Sequence, residues 1–152
     1  LQTKARNVCM VGKTWDFHVD VALEVGRDEY LEMIADSLAY AGTKMDEVMF
    51  DAEHFFDGYK ANRDYALAAI DEAHKAGARW IVLCDTNGGT LPEDAYRIVS
   101  EAKAKLPNAN FGIHAHNDTE QAVAVSLAAV RGGASVGALP EAQRLRRSII
   151  SR

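Results

Sequence analysis

Two histidines separated by one residue, His114 and His116, follow a short apolar run that ends at Ile113. Residues two apart on a β-strand point to the same side, roughly 6 to 7 Å from each other, so both imidazoles can reach one metal ion. The intervening Ala115 then faces the opposite side, where a small residue is tolerated. Two surface histidines near a loop are the alternative. The position at a strand end, followed at once by an Asn-Asp pair and a helix, favours a metal site.

A pair of acidic residues follows a second apolar run. Asp51 and Glu53 come directly after residues 48–50 and share one face of the expected strand, whereas His54 takes the other face. An inward-facing carboxylate pair is costly unless it meets a metal, a cation or a substrate. The spacing therefore indicates a binding site, with a solvated strand-to-helix turn as the open alternative.

A third polar segment contains Asp85, Thr86 and Asn87, followed by two glycines. These side chains can hydrogen-bond a small oxyanion, and the glycines let backbone amides approach a ligand. A simple turn before a helix explains the segment equally well. That helix has a local start signal, because Thr90 and Glu93 have the spacing of a capping box.

Three further residue types carry weaker signals. Lys13, in the segment GKTWDFH, offers a cation beside an apolar strand, although a lysine at a strand end is usually solvated. His74 lies on a helical stretch and is expected at the surface. Cys9 and Cys84 each sit in an apolar run, which predicts two buried free thiols.

The elements that position these residues alternate regularly. Short apolar runs predict strands, and longer stretches with an apolar stripe predict helices packed on a sheet. The strands are expected near residues 7–12, 47–52, 79–85 and 110–115, and the helices near 28–41, 62–76, 93–106 and 118–130. Asn62 is a plausible N-cap of the second helix. Strand and helix in alternation, with strands about 30 to 40 residues apart, indicate a parallel sheet with right-handed crossovers.

The distribution of polar residues separates two parallel architectures. A doubly wound sheet concentrates its ligand contacts at one switch point behind a glycine fingerprint, and the sequence contains no GxGxxG. Here every strand end carries candidate chemistry, as at the mouth of a (β/α)8 barrel. A whole barrel needs ~250 residues, so these 152 residues supply about four and a half units. The sequence therefore predicts an α/β fold that is part of a TIM barrel.

Composition excludes several partner classes. The net charge is -5 and no basic run precedes the last dozen residues, so nucleic acid and anionic membranes are poor partners. No apolar stretch approaches the ~20 residues that span a bilayer, and the N-terminal residues lack a signal-peptide pattern. A cytoplasmic location is expected. From Ala138 the chain reads ALPEAQRLRRSIISR, a change in character with four arginines and one acid.

Taken together, four segments resemble a known family. GKTWDFHV, FDAEHFFDGYKAN, VLCDTNGGTLP and GIHAHNDT stand in this order in the citramalate branch of the 2-isopropylmalate and homocitrate synthase family, within the HMGL-like DRE-TIM metallolyases. The resemblance covers about residues 8–136. It implies strands 4 to 7 of the barrel and the start of strand 8. It also implies a catalytic-domain segment over 1–136 and a divergent tail over 137–152, for which a reading-frame change or a truncation is the hypothesis.

The resemblance also implies a reaction. Members of this family are acyltransferases that carry out a metal-dependent Claisen condensation of acetyl-CoA with a 2-oxo acid, here pyruvate giving citramalate for isoleucine biosynthesis. A homo-oligomer is expected. The implied cofactor is a divalent ion (Mg, Mn or Zn). Residue by residue, the implied roles are metal ligands at His114 and His116, catalytic groups at Glu53 and Thr86, and substrate contacts at Lys13, Asp51, Asp85, Thr86 and Asn87.

Two parts of the family pattern are not found in this sequence. They are the Arg-Asp motif of the first barrel strand and the glycine-rich NGxGERxGN segment. The polypeptide by itself is therefore expected to be inactive, and the intact protein active. Two alternatives stay open: a lyase or carboxyltransferase of the same superfamily, and a catalytically inactive half-barrel that serves as a binding module.

Overall fold

The computed structural model describes residues 5–135, which form a four-stranded parallel sheet covered by helices on one face. The predicted tail over 137–152 lies outside the described residues. The strands stand side by side in chain order and are β1 (Asn7–Lys13), β2 (Glu47–Glu53), β3 (Trp80–Asp85) and β4 (Phe111–Ala115). The predicted parallel α/β arrangement is confirmed, and each strand lies within two residues of its predicted bounds.

Helices connect the parallel strands. They are α1 (Asp16–His18, continued by a π-helical turn over Val19–Leu23), α2 (Arg27–Gly42), α3 (Phe55–Ala61), α4 (Arg63–Lys75), α5 (Pro92–Lys105) and α6 (Ala122–Arg131). The short α3 was not predicted, because the residues after β2 contain too few turns for a periodic signal. None of the helices within residues 5–135 combines the length and the apolar character needed to cross a bilayer.

Of the two helix caps predicted at Asn62 and Thr90, one is confirmed and one is wrong. The Asn62 side chain accepts a hydrogen bond from the Tyr65 amide at 3.3 Å, so the predicted N-cap of α4 is confirmed. The capping box at Thr90 is wrong. Helix α5 begins with Pro92, which is suited to the first helical position, and no side chain caps it, because Thr90 bonds elsewhere.

The two faces of the sheet differ in character. The face toward the helices carries fully buried side chains, among them Phe50, Ile81, Leu83 and Phe111, and forms the core together with apolar residues of α2 to α6. The opposite face corresponds to the interior of a barrel. Its residues are more polar and more exposed, and Val11 on the edge strand β1 is 64% exposed.

The cysteines divide between these environments. Cys84 is buried, as predicted, but Cys9 is exposed. The prediction for Cys9 is wrong because this residue lies on β1, the first strand of the sheet, and on the face that carries no helices. Neither thiol forms a disulfide.

Candidate active site

The register of the sheet brings the candidate residues into line at the carboxyl ends of the strands. Lys13 of β1 stands opposite Glu53 of β2, and Cys84 of β3 stands opposite His114 of β4. Asp51 lies two residues before Glu53 and therefore points to the same side of the sheet. All five side chains consequently share the face that corresponds to the barrel interior.

Lys13 and Glu53 form an ion pair at the end of the first two strands. Their side chains are 30% and 27% exposed. Thr14, the residue after Lys13, joins the ends of β1 and β2, because its hydroxyl donates a hydrogen bond to the Glu53 carbonyl oxygen at 2.8 Å. A cavity of about 360 Å³ opens beside the pair, with Val11 and Tyr30 in its wall. The sequence marked both charged residues as candidates but did not indicate that they pair.

Asp51, Cys84 and His114 form a second cluster on three neighbouring strands. The Cys84 thiol donates to Asp51 Oδ1 at 3.1 Å and lies 4.0 Å from His114 Nδ1. Asp51 Oδ2 lies 3.9 Å from the same ring nitrogen. Burial, reinforced by the Asp51 carboxylate, raises the pKa of the Cys84 thiol. That carboxylate also raises the pKa of His114, against the opposing effect of partial burial.

His116 lies beside His114. The two rings stack with centroids 4.8 Å apart and an angle of 23° between their planes. His116 is exposed, whereas His114 is half-buried. The intervening Ala115 packs against the hydrophobic core, so the two histidines share the inward face, as the alternation of the strand predicts. Imidazole, carboxylate and thiol groups are all metal-ligand types, and they fit Zn²⁺ better than Mg²⁺.

Thr86 and Asn87 contact the loop that follows β2. The Thr86 hydroxyl oxygen accepts a hydrogen bond from the His54 amide at 2.8 Å, and His54 adopts a left-handed conformation with φ of 57°. Asp57 then joins the two loops, because its carboxylate oxygen lies 3.0 Å from His54 Nδ1 and accepts from Asn87 Nδ2 at 3.0 Å. Both predicted residues therefore lie at the same end of the sheet as the two clusters.

Asp85 is not brought together with the other candidates. It is 1% exposed and points to the helix side of the sheet. Its carboxylate accepts hydrogen bonds from the Thr90 hydroxyl at 2.8 Å and the Thr90 amide at 3.2 Å. This geometry supports a role in holding the loop between β3 and α5, and it explains why Thr90 does not cap the helix.

Two residues to which the sequence gave no functional role complete this end of the sheet. His18 packs edge-to-face on His54 with ring centroids 4.5 Å apart, and its ring lies 4.8 Å from that of Trp15. Burial, followed by the nearby His54 and Lys13, lowers the pKa of His18. Cys84 is the other missed residue. It lies two residues before Thr86, and side chains two apart on a strand point to the same face. That spacing was the signal that could have placed Cys84 on the same face as Thr86.

The chain is similar in sequence to curated enzymes. The chain is 55% identical over 127 residues to an (R)-citramalate synthase of Aquifex aeolicus and 54% identical over 128 residues to that of Geobacter sulfurreducens. In both cases the match covers 84% of this chain and 24% of the relative, so the chain spans about a quarter of the length of these curated relatives.

The fold has solved counterparts. An HMG-CoA lyase from Acinetobacter baumannii, in complex with coenzyme A and 3-methylmalate, superimposes with a TM-score of 0.67 at 19% identity, over 85% of this chain and 43% of that one. The parallel sheet is therefore a segment of the barrel found in that enzyme. The HMGL-like family model matches residues 1–136, and the chain accordingly belongs to the HMGL-like family.

Proposed function

We propose that this chain contributes to the catalytic barrel of an acyltransferase that condenses acetyl-CoA with a 2-oxo acid, with pyruvate giving citramalate. The observation that carries the proposal is the register of the sheet. It places the Lys13–Glu53 ion pair and the Asp51, Cys84 and His114 cluster on one face at the carboxyl ends of the strands. The similarity to citramalate synthases supports the choice of reaction.

The metal-binding residues in this proposal are His114 and His116. Their rings stack side by side, and the His114 ring lies next to the Asp51 carboxylate. A divalent ion bound there would polarise the ketone of the oxo acid and favour attack on its carbon. The two imidazole nitrogens favour Zn²⁺, and a neighbouring carboxylate oxygen also admits Mn²⁺ or Mg²⁺.

Glu53 is proposed as the group that accepts a proton from the methyl carbon of the acetyl group. Its carboxylate lies on the same face as the metal-binding residues, and the neighbouring Lys13 ammonium pairs with it and holds it at the end of the strand. The cavity beside the pair offers space for a small substrate.

Thr86 is proposed to bind the carboxylate of the oxo acid. Its hydroxyl oxygen already accepts a hydrogen bond from the His54 amide, which fixes the direction of the side chain. The hydroxyl proton can then be donated to a substrate oxygen. Asn87 donates a hydrogen bond to Asp57 and so holds the loop after β3 against α3. Asp85 accepts a hydrogen bond from Thr90 and holds the same loop from the helix side of the sheet.

The test is an assay of the whole protein that contains this segment. Acetyl-CoA and pyruvate should yield free coenzyme A, detected with a thiol reagent, and citramalate, detected by mass spectrometry. Glu53→Gln and His116→Ala should each lower turnover by about 100-fold or more. His74→Ala is the matched control, because it removes an imidazole from the outer helix α4 and should leave turnover unchanged.

Two results would contradict the proposal. One is a different reaction, which would be either a preference for a longer acceptor such as 2-oxoglutarate or cleavage of a 3-hydroxyacyl-CoA in place of condensation. The other is full turnover in Glu53→Gln and His116→Ala, which would mean that the carboxyl ends of these strands do not carry the chemistry.

A further inference from the structure

Asp57 joins the loops that follow β2 and β3 through a single oxygen atom. Its Oδ2 lies 3.0 Å from His54 Nδ1 and accepts a hydrogen bond from Asn87 Nδ2 at 3.0 Å. The Asp57 and His54 side chains are 21% and 14% exposed, so water competes little for the contact between them. The sequence gave no role to Asp57, which lies in the first turn of the short helix α3.

The contact with Asp57 holds the His54 ring in one orientation. A carboxylate oxygen only accepts hydrogen bonds, so the imidazole nitrogen 3.0 Å from it carries the proton and donates. The ring is also held by a second neighbour, because His18 packs edge-to-face on it with centroids 4.5 Å apart. The His54 side chain is therefore fixed by a directional bond and by packing.

The orientation of this ring bears on the backbone of His54. That backbone is left-handed, with φ of 57° and ψ of 30°, which a residue other than glycine adopts only where its surroundings hold it there. In this conformation the His54 amide donates to the Thr86 hydroxyl oxygen at 2.8 Å. Without the bond from its ring to Asp57, His54 loses one of the contacts that keep the amide directed at Thr86.

We propose that Asp57 is a positioning residue for the 2-oxo acid. The inference rests on the proposed function, in which Thr86 binds the carboxylate of that substrate. Asp57 acts through His54, whose amide orients the Thr86 hydroxyl, and through Asn87, the next residue of the same loop. Because Thr86 would bind the substrate carboxylate both before and during the reaction, loosening it weakens substrate binding and leaves the chemical step little changed.

A purely structural role for Asp57 predicts a different outcome. An acidic residue in the first turn of a helix interacts favourably with the helix dipole, and its loss affects only stability. Asp64 occupies the same position in α4, where its side chain is 91% exposed and pairs with the adjacent Arg63. Asp64→Ala is therefore the matched control, because it removes a first-turn carboxylate that joins no loops at the carboxyl ends of the strands.

The experiment is steady-state kinetics of the whole protein that contains this segment. Asp57→Ala should raise the KM for pyruvate by about tenfold, the ratio expected for a lost binding contact, with kcat and the KM for acetyl-CoA within about threefold of wild type. Asp57→Asn should rescue the KM, because both donors reach the same oxygen and an amide oxygen can take its place. Asp64→Ala should leave all three constants unchanged.

Hydrogen exchange gives a second readout that needs no activity. Exchange in the peptide that contains the His54 amide should be faster in Asp57→Ala than in wild type, and unchanged in Asp57→Asn and Asp64→Ala. His54→Phe breaks the same bond from the other side and keeps an aromatic ring to pack on His18. It should reproduce both effects of Asp57→Ala, and it carries the test if Asp57→Ala does not fold.

The inference and the proposed function fail in different ways. If citramalate forms and Thr86→Val raises the KM for pyruvate, but Asp57→Ala and His54→Phe do not, the inference is overturned and the proposed function stands. A fall in stability with an unchanged KM would overturn the inference as well. If the whole protein forms no citramalate, the proposed function fails, and unchanged exchange at His54 in Asp57→Ala would then refute the positioning of Thr86 by Asp57.

Discussion

Replacement of Gly58 by alanine should force two backbone segments apart at the carboxyl end of the sheet. Gly58 lies in α3, where its Cα faces the loop that follows β1. A Cβ added there would lie 2.3 Å from the Thr14 carbonyl oxygen and 2.9 Å from the Trp15 Cα. Both are backbone atoms, so no side-chain rotation can relieve the contact.

The magnitude follows from two opposing effects. The segments must separate by roughly 0.7 Å to reach even a 3.0 Å contact, and overpacking of this kind costs about 1 to 3 kcal/mol. The helix gains about 1 kcal/mol because alanine is a better helix former than glycine. We therefore expect the free energy of unfolding to fall by up to about 2 kcal/mol. The displacement would also strain the bond from Thr14 to the Glu53 carbonyl.

The assay is urea denaturation followed by tryptophan fluorescence and circular dichroism. Gly42→Ala is the matched control. Gly42 ends α2, and an added Cβ there would meet nothing within 4 Å. Without a steric penalty, that substitution should be neutral or stabilise the chain by up to about 1 kcal/mol. Equal unfolding midpoints for the two variants would refute the reasoning that the approach of α3 to the β1 loop requires glycine.

Three further substitutions and titrations test the structure. Thr90→Val leaves the buried Asp85 carboxylate short of a donor and should cost about 1 to 3 kcal/mol in urea denaturation, whereas Thr43→Val at an exposed site should change little. Asn62→Ala removes the cap of α4 and should cost about 1 kcal/mol, seen as a lower thermal midpoint. Because burial lowers the pKa of His18, NMR titration should give a midpoint below its ordinary value of 6.5. The folded chain should then lose stability as the pH falls below 6.5, and a midpoint at or above 6.5 would contradict this.

Local periodicity was sufficient to predict the elements and the end of the sheet at which the site lies. A strand alternates with period two, so His114 and His116 had to share a face once the run before them was assigned as a strand. Four apolar runs followed by four polar segments likewise indicated a parallel sheet with its chemistry at the carboxyl ends. These inferences need only residues that are close in the chain, and such signals are present in the sequence itself.

The contacts within the site depended on the tertiary structure. Lys13 and Glu53 are 40 residues apart, and only the register of β1 against β2 makes them partners. The same holds for Cys84, which the sequence assigned to the core but which β3 places between Asp51 and His114. A shift of one residue would have turned each side chain to the other face, and no local pattern records the register between distant strands.

The wrong capping assignment at Thr90 has the same origin. Thr90 has the local spacing of a capping residue, but its hydroxyl and amide both bond to the buried Asp85 carboxylate. A carboxyl group that is 1% exposed needs those donors more than a solvent-exposed helix end does, since water can satisfy the helix amides. The sequence by itself determined that a helix follows β3, and the burial of one carboxylate decided how that helix begins.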